Sequence, residues 1–540
     1  MMSFVSTTYS NITRVHNKTP EEKTMASFRR LIQLRSVFSN VKFQACKNGI
    51  MPIRTMTSDI PSFLESTFSC PDMNILSTER KCKEFLSYYG QLTPEDKGMF
   101  LTLLSEKYGV NQDNVTRVAQ SVALSQERGE AVLLSTQERL RNTLLPRYQQ
   151  LFRQIGRIDG GVKFLVDLRA DVISQQLSST SEIAVAYYRA LNTTLRELLS
   201  LWFAVGFLNL QRVTWMSPCD MVQKISEYEA VHPIRNWTDL KRRVGPYRRC
   251  FVFTHNSMPR EPVVVLHTAL TQEISSSIHS IIHSPGFWPG GVKKEEATDP
   301  TLSPPDNDAS SPNIEKEDPN QISAAVFYSI TSTLKGLQGV ELGNYLIKKV
   351  VHEVQQEFDH IKQFSSLSPI PGFKEWLITD LNQSIHAKVI GEDLGKEFIT
   401  DSEHSFLQPY MNPSHSCVLE LLKDFIQSNQ WVSREDLERI LKPILMRLCA
   451  RYLYQEKRRQ YALNPVANFH LRNGAVIWRI NWMADMSMRG LTASCGMMVN
   501  YRYYLSSTEE NSCRYLEEFH IEASQDVLDM CAGIVPGTVQ

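Results

Sequence analysis

The chain has 540 residues, of which 42% are hydrophobic and 21% charged, a composition typical of a soluble globular protein with about two or three domains. Its 58 Lys and Arg balance its 58 Asp and Glu, so no net field draws it onto nucleic acid or an anionic membrane. The longest apolar run, residues 198–210, is too short for a membrane span, and the ten cysteines show no CxxC pair and no zinc-like spacing, which argues against a structural metal site.

The first segment with a distinct composition is residues 25–58, which are rich in Arg and Ser and contain no Asp or Glu. This acid-poor, amphipathic composition is typical of a mitochondrial transit peptide, and a disordered tail with an incidental charge bias is the alternative. Glu21 and Glu22 interrupt the pattern upstream, which makes Met25 a candidate start. We predict a leader over residues 1–60.

Helical periodicity dominates the next segment, residues 61–210. Thr93 and Pro94 predict a helix start, because a hydroxyl at the N-cap and a proline at the first helical position both favour one. The apolar face of that helix is expected to include Met99, Leu103 and Leu104. Further helices are predicted over 112–127, 131–156 and 181–206. No catalytic motif occurs here, so we predict a helical bundle domain that serves packing or oligomer assembly.

After residue 210 the predicted elements include strands. Three β-branched and aromatic stretches predict strands at 262–270, 324–331 and 475–482, and helical stretches such as 341–359 and 418–427 separate them. Residues 285–321 are crowded with Pro, Ser and acidic residues and predict a disordered surface insertion. The expected fold class is therefore α+β, with an all-α bundle followed by a mixed α/β domain over 211–540.

A strand, a turn with two glycines and a helix follow one another between residues 324 and 359. Unpaired backbone N–H groups at such a helix start, together with the helix dipole, favour a bound anion. Gly336 and Gly339 would let the backbone approach a pyrophosphate closely. The turn lacks both the dinucleotide and the nucleoside-triphosphate fingerprints, and a purely structural turn remains the alternative.

Two polar residues are candidates for chemistry. Ser368 is expected at the end of a short strand that Pro369 and Pro371 terminate, where it would either meet a ligand or cap the following helix. His470 precedes Asn473-Gly474, a hairpin signal, and is expected near a strand end as either a catalyst or a hydrogen-bonded core residue.

The tyrosines of the NYRYYL segment are further candidates. Tyr501 and Tyr503 would bring a phenol to the same place, or simply pack as aromatic residues. The basic run at 241–249 carries five positive charges in nine residues, and is either solvated surface or a phosphate contact.

Six stretches taken together resemble the malonyl-CoA decarboxylase family over about residues 75–530. They are GGVKFLVDLRAD, NWTDLKRRVGPYRRC, EPVVVLHTALTQEIS, GLQGVELGNYLIKKVV, FSSLSPIPGF and NPVANFHLRNGAVIWRINWMADMS. The resemblance implies conversion of malonyl-CoA to acetyl-CoA and CO2 without a metal or organic cofactor. It also implies a homotetramer and a C-terminal domain similar to the acyl-CoA N-acetyltransferases (GNAT fold).

The resemblance assigns roles to particular positions. Ser368 and His470 match the catalytic serine and histidine of the family, and Tyr503 matches a tyrosine near its active site. The acyl-CoA-binding segment falls on Gln338, Gly339, Val340, Glu341, Leu342, Gly343 and Asn344. This segment departs from the acetyltransferase pattern [RQ]xxGx[GA], since Glu341 stands where a glycine is expected.

A mechanism follows for such a substrate, because the malonyl thioester can itself accept the electrons that the departing carboxylate leaves behind. His470, with an ordinary pKa of about 6.5, would supply the proton, and Ser368 would hold the carboxylate or relay the proton. An acyltransferase of the same fold and a non-catalytic acyl-CoA sensor are the rival functions.

The predicted location is the mitochondrial matrix, and the cytoplasm and the peroxisome are alternatives. Many family members end in a peroxisomal tripeptide, whereas this sequence ends GIVPGTVQ. Neither a nucleic-acid partner nor a membrane span is expected.

Overall fold

The computed structural model describes residues 59–69, 75–282, 317–340, 342, 345–390, 398–413 and 415–533. The predicted leader lies outside this part of the chain except for its last two residues, and the predicted insertion lies outside it except for 317–321. Among the described residues, no helix is both long and apolar enough to cross a membrane.

In the described chain before residue 203, all regular secondary structure is helical. They are α1 (Ile60–Ser69), α2 (Ile75–Gln91), α3 (Pro94–Lys107), α4 (Gln112–Ser125), α5 (Glu130–Thr143), α6 (Arg147–Ile155), α7 (Gly161–Ser178) and α8 (Glu182–Trp202). Thr93 caps α3 as predicted, because its side chain accepts a hydrogen bond from the Asp96 N–H. The helix predicted over 131–156 is wrong as one piece: it is two helices, α5 and α6, because Pro146 stands between them.

The apolar face predicted for α3 is only partly correct. Leu104 is buried, whereas Met99 is 45% exposed. The buried positions of this helix are instead Phe100, Leu101, Leu104 and Ser105.

The mixed α/β region starts with β1 (Leu208–Val213). Its other strands are β2 (Arg248–His255), β3 (Met258–Thr271), β4 (Ala324–Ser332), β5 (Gln363–Ser366), β6 (Ser368–Pro369), β7 (Lys457–Arg458), β8 (Tyr461–Ala462), β9 (Val476–Asn481) and β10 (Met498–Tyr503). The main sheet has the order β1-β2-β3-β4-β5-β10-β6, with β9 paired to β10, and β7 and β8 form a small separate sheet. The strands predicted near 262–270, 324–331 and 475–482 are all present, and the predicted fold class is confirmed.

Helices lie between these strands in the sequence and after the last of them. They are α9 (Cys219–Tyr228), α10 (Trp237–Arg243), α11 (Ile278–Ile282), α12 (Tyr345–Glu357), α13 (Phe373–Ile390), α14 (Asp401–Leu407), α15 (Val418–Ser428), α16 (Glu435–Tyr454), α17 (Pro465–Arg472), α18 (Met488–Ser494), α19 (Thr508–Glu517) and α20 (Gln525–Cys531).

The helical region and the sheet share residues of one hydrophobic core. Val162 and Val166 of α7 and Leu199 of α8 pack into the core that includes β3 and β4, while other residues of the same two helices pack into a separate helical core. Helices α7 and α8 therefore connect the two regions through continuous packing.

The end of the predicted insertion is ordered, which corrects that prediction at 317–321. Glu317 accepts hydrogen bonds from the Arg249 guanidinium at 2.8 Å and from the Tyr247 N–H at 3.0 Å, and Asp318 caps a short 3-10 turn, Pro319–Gln321. Paired charges and a capped turn fix this stretch even though its composition is typical of disorder.

The basic run at 241–249 is partly internal. Arg249 is buried and contacts both Glu317 and Glu357, and buried Arg248 donates to the Ile281 carbonyl. These two arginines therefore form neither a solvated surface nor a free phosphate site, and both predictions for the run are wrong at these positions.

Candidate active site

The register of the sheet brings Ser368 beside the tyrosines of β10. Strand β5 pairs with β10 so that Phe364 faces Tyr503, and β6 continues the same antiparallel register so that Ser368 faces Val499. Because side chains alternate along a strand, these residues and Ser366 project from one face of the sheet. The strand predicted to end at Ser368 in fact breaks after Ser366 and resumes at Ser368.

His470 lies in helix α17, which corrects the prediction that it lies near a strand end. The Asn464 side chain caps this helix by accepting from the N–H groups of Val466 and Ala467 at 3.0 and 2.8 Å, and Pro465 occupies the first helical position. The Asn473-Gly474 pair ends the helix instead of forming a hairpin. Gly474 has φ of 76°, the left-handed conformation that commonly terminates helices.

Asn464 also fixes the position of α17 relative to Ser368. Its amide nitrogen donates to the Pro371 carbonyl at 2.9 Å, three residues after the serine. The same side chain thus starts the helix and attaches it to the chain that follows β6.

Ser368 and His470 are in direct contact. Ser368 Oγ lies 2.9 Å from His470 Nε2, and His470 Nδ1 lies 2.6 Å from Tyr503 Oη. Ser368 and His470 are separated by 102 residues in the sequence, and both are at least 95% buried. The structure therefore brings together the three residues to which the family resemblance assigns the reacting end.

Counting protons assigns the direction of this hydrogen-bond chain. The Ser368 hydroxyl donates to Ser366 Oγ at 2.8 Å, so its oxygen is left to accept from His470 Nε2. A neutral imidazole has a single N–H, so Nδ1 accepts from the Tyr503 hydroxyl. The resulting chain runs from Tyr503 through His470 to Ser368 and Ser366.

Burial sets the protonation of this group. Removal from water lowers the pKa of His470 to about 3, since burial penalises the charged imidazolium. Burial likewise raises the pKa of Tyr503 well above its usual range. At neutral pH the imidazole and the phenol are therefore both uncharged.

Tyr501 serves a different purpose from Tyr503. Its ring stacks on the His470 ring with centroids 4.4 Å apart and an interplanar angle of 18°. Its hydroxyl is buried and has no hydrogen-bond partner among the described residues. Tyr501 thus holds the imidazole by ring contact, whereas Tyr503 contacts it through a hydrogen bond.

A cavity of about 800 Å³ connects this group with the glycine-containing turn; we call it the central cavity. One end is lined by Ser368 and His470, and the other by the turn after β4. The predicted binding residues that line it are Gln338, Gly339, Val340 and Leu342. Glu341, Gly343 and Asn344 lie outside the described residues. The volume is within the range of about 300–1,000 Å³ typical of ligand sites.

The two glycines of the turn have different roles. Gly339 has φ of 71° and open space where a side chain would lie, as the prediction requires for close approach of a ligand. Gly336 instead packs against α7, because a Cβ atom there would lie 1.8 Å from the Val166 carbonyl oxygen. The proposed pyrophosphate contact of Gly336 is therefore replaced by a helix contact.

Arg169 of α7 supports the turn and was missed by the sequence analysis. It is 2% exposed, and its guanidinium donates to the carbonyls of Gly336 at 2.6 Å and Gln338 at 2.8 Å. The remaining guanidinium nitrogen, Nε, donates to Asn192 Oδ1 at 2.9 Å. The available signal was an arginine within the apolar stripe of a predicted helix, next to Val162, Val166 and Val172.

Comparison with known proteins adds to this geometry. Residues 206–535 match the model of the family described as malonyl-CoA decarboxylase C-terminal domain, and residues 108–203 match the model of its N-terminal domain. The chain is 50% identical over 459 residues to the Mus musculus protein named malonyl-CoA decarboxylase, mitochondrial, covering 84% of this chain and 86% of that protein. A protein of the same name from Anser anser anser is 47% identical over 453 residues, which is 83% of each chain.

Two solved structures are also similar. Malonyl-CoA decarboxylase from Rhodopseudomonas palustris aligns with 27% identity and a TM-score of 0.69, covering 87% of this chain and 98% of that one. The protein of the same name from Agrobacterium vitis aligns with 27% identity and a TM-score of 0.68, covering 87% and 99%.

Proposed function

The chain belongs to the malonyl-CoA decarboxylase family, and we propose that it converts malonyl-CoA to acetyl-CoA and CO2 in the central cavity, using Ser368 and His470. The observation that supports these site residues most strongly is the 2.9 Å contact between Ser368 Oγ and His470 Nε2 in the wall of a ligand-sized cavity.

The substrate supplies most of the chemistry. When the bond between the malonyl carboxylate and its neighbouring carbon breaks, the electron pair moves into the thioester as an enolate, and CO2 leaves. One proton must then be added to that carbon to give the acetyl group. The protein has to provide a dry site, a hydrogen-bond donor and this proton.

His470 supplies the proton, although burial alone keeps its imidazole uncharged at neutral pH. A buried neutral imidazole is a weak acid, which revises the expectation based on its ordinary pKa. A malonyl carboxylate bound nearby favours the imidazolium, because an opposite charge raises the pKa of a buried histidine. As the carboxylate leaves as neutral CO2, that stabilisation is lost and Nε2 releases its proton to the enolate carbon, directly or across the Ser368 hydroxyl.

The remaining residues position these groups. The Tyr503 hydroxyl fixes the imidazole at Nδ1, and the Tyr501 ring holds its plane. At the opposite end the turn from Gln338 to Asn344 binds the pyrophosphate of CoA, which lays the pantetheine arm along β4 towards Ser368. The described part of the cavity wall supports this path, since it includes Phe327–Ile330 and Ser332 of β4.

The helical domain, residues 61–210, is proposed to assemble the protein into a homotetramer, and residues 211–540 to form the catalytic domain. Several large apolar side chains of the helices are strongly exposed, as expected of a surface that packs against another subunit. They include Leu124, Leu134, Leu177, Ile183 and Leu201. Analytical ultracentrifugation of the purified protein measures this directly, and a monomer would contradict it.

A mitochondrial location is supported by the names of the relatives and by the acid-poor composition of residues 25–58. Import of a fusion of residues 1–60 with a fluorescent protein tests the leader, and diffuse cytosolic fluorescence would count against it.

Mass-spectrometric product analysis tests the function. Purified protein given malonyl-CoA and no amine acceptor is expected to yield one acetyl-CoA and one CO2 for each malonyl-CoA consumed. An acyltransferase would release little CO2 without an acceptor, and an acyl-CoA sensor would bind the compound without turnover. Either result would contradict the proposal.

A further inference from the structure

A second cavity lies on the other side of Val231 from the central cavity. Its volume is about 860 Å³, and it is formed by residues 231–239, α10, α11 and residues 485–489. Val231 lines both cavities. The proposed decarboxylation uses none of the other residues of this second cavity, which we call the arginine cavity.

Three guanidinium groups of the arginine cavity have no carboxylate partner. Arg235 and Arg242 are exposed, and neither side chain forms an ion pair or hydrogen bond with any described residue. Within the described chain, Arg489 donates to the backbone carbonyls of Ala230 and Val231 and to no carboxylate. Guanidinium groups are planar and match the geometry of carboxylate and phosphate oxygens. Three of them around one cavity, with no carboxylate partner among the described residues, therefore favour an anion.

The acidic side chains of the cavity leave a positive excess. Asp239 is already paired with buried Arg243, whose Nε lies 3.0 Å from the Asp239 carboxylate. Among the described residues, Asp485 is then the only lining carboxylate available to balance the charges of Arg235, Arg242 and Arg489. The lining therefore has an excess of about two positive charges.

His232 adds a buried polar group to the wall of the same cavity. Its side chain is 91% buried at the cavity wall, and its Nε2 has no hydrogen-bond partner within the described chain. Burial lowers the pKa of His232 to about 4, so the ring is uncharged at neutral pH. An unpaired buried nitrogen costs free energy, and such groups are normally satisfied by water or a ligand.

We propose that the arginine cavity binds a compact anion with two or more negative charges, either a phosphate or a polycarboxylate. The excess positive charge sets the charge of this ligand. None of the described lining residues is Phe, Tyr or Trp, so the cavity lacks a stacking surface for a nucleobase. This site goes beyond the proposed decarboxylation and does not depend on it.

Isothermal titration calorimetry of the full-length protein at fixed ionic strength tests the site, with inorganic phosphate in one series and citrate in the other. Saturable binding of one anion per chain is expected, and the series that binds identifies the class. Arg235→Gln and Arg242→Gln should each weaken this binding by roughly three- to tenfold, since each removes a charged donor that is partly screened by water. Both residues are exposed and unpaired, so the thermal unfolding midpoint should not change.

Lys241→Gln is the matched control, because it removes one positive charge from α10 at an exposed position outside the cavity lining. Its affinity should equal that of the wild type. If Lys241→Gln weakened anion binding as much as Arg235→Gln and Arg242→Gln do, the binding would reflect general charge attraction, and the proposal would be overturned. The absence of saturable binding to either anion would overturn it as well.

A final series repeats the titration with saturating acetyl-CoA. Unchanged anion affinity supports a separate site. Displacement of the anion would show that the arginine cavity is part of the acyl-CoA site, which contradicts the proposal while leaving the proposed decarboxylation intact.

Discussion

The two ends of the central cavity are built from different chemical groups. At the reacting end, the side chains of Ser368, His470 and Tyr503 are buried and joined by hydrogen bonds. At the turn end, the main chain around Gly339 faces the cavity, and Arg169 holds it from behind through two carbonyls. A buried series of hydrogen-bonded side chains is suited to proton transfer, whereas a fixed backbone turn is suited to binding. Substitutions at the reacting end should therefore change mainly kcat, and substitutions at the turn end mainly KM.

The largest effect is expected at His470. His470→Asn removes the proton donor and should lower kcat by about 10²–10⁴-fold with little change in KM, because a positioned acid contributes about that much. Steady-state kinetics with malonyl-CoA measures both constants. His404→Asn, at an exposed position of α14, is the matched control and should behave as wild type. A folded His470→Asn protein with wild-type turnover would refute the assignment.

Arg169 should show the opposite kinetic pattern. Arg169→Gln breaks both contacts to the turn and should raise KM by about tenfold, with a smaller change in kcat, since a charged hydrogen bond is typically worth about 1.5–3 kcal/mol. Arg169→Lys keeps the positive charge but loses the planar guanidinium group, so its KM should lie between those of the wild type and Arg169→Gln. Arg153→Gln, an exposed arginine of α6, is the control. If kcat fell and KM did not change, the turn would not be a binding element.

Comparing substitutions of Tyr503 and Tyr501 separates the effect of the hydrogen bond to His470 from the effect of the ring contact with it. Tyr503→Phe removes the donor at Nδ1 and should lower kcat by roughly three- to tenfold. Tyr501→Phe removes a buried hydroxyl that has no hydrogen-bond partner in the described part of the chain, so it should leave kcat unchanged and the unfolding temperature equal or higher. Equal losses in the two variants would contradict the role given to the Tyr503 hydroxyl.

Gly339 should give the smallest effect. Gly339→Val forces a β-branched residue into a positive φ at a cost of about 1–3 kcal/mol, part of which reaches the binding site, and KM should rise by about threefold or more. Gly129→Val is the control, because Gly129 also has a positive φ and open space around it but lies outside the cavity. A change in kcat at constant KM would count against a binding role.

The turn end was largely predictable because its signals are local. The β-branched run at 324–331 gives a strand, and the glycine at 339 marks a backbone position that needs a positive φ. Gly336 was misassigned because its neighbour, Val166, lies 170 residues earlier in the chain. The spacing of residues in the sequence does not show that Gly336 and Val166 lie close together in the fold.

The reacting end was predictable only through the family resemblance. Local signals placed His470 near a strand because Asn473-Gly474 is typical of a hairpin, while the Asn464-Pro465 start of α17 was overlooked. The contact between Ser368 and His470 depends on the register of β6 with β10 and on the attachment of α17 to Pro371. Long-range pairings of this kind do not follow from periodicity.

The most direct test of the central claim is a double-mutant cycle in kcat with Ser368→Ala, His470→Asn and the combined variant. Ser365→Ala is the control, because Ser365 is a buried neighbour that has no contact with the imidazole among its hydrogen bonds. If the two residues act as one unit on malonyl-CoA, the combined variant should lose little more activity than His470→Asn alone. The account would be contradicted if the loss of kcat in the combined variant equalled the product of the losses in the two single variants. A Ser368→Ala enzyme with wild-type turnover would also contradict it.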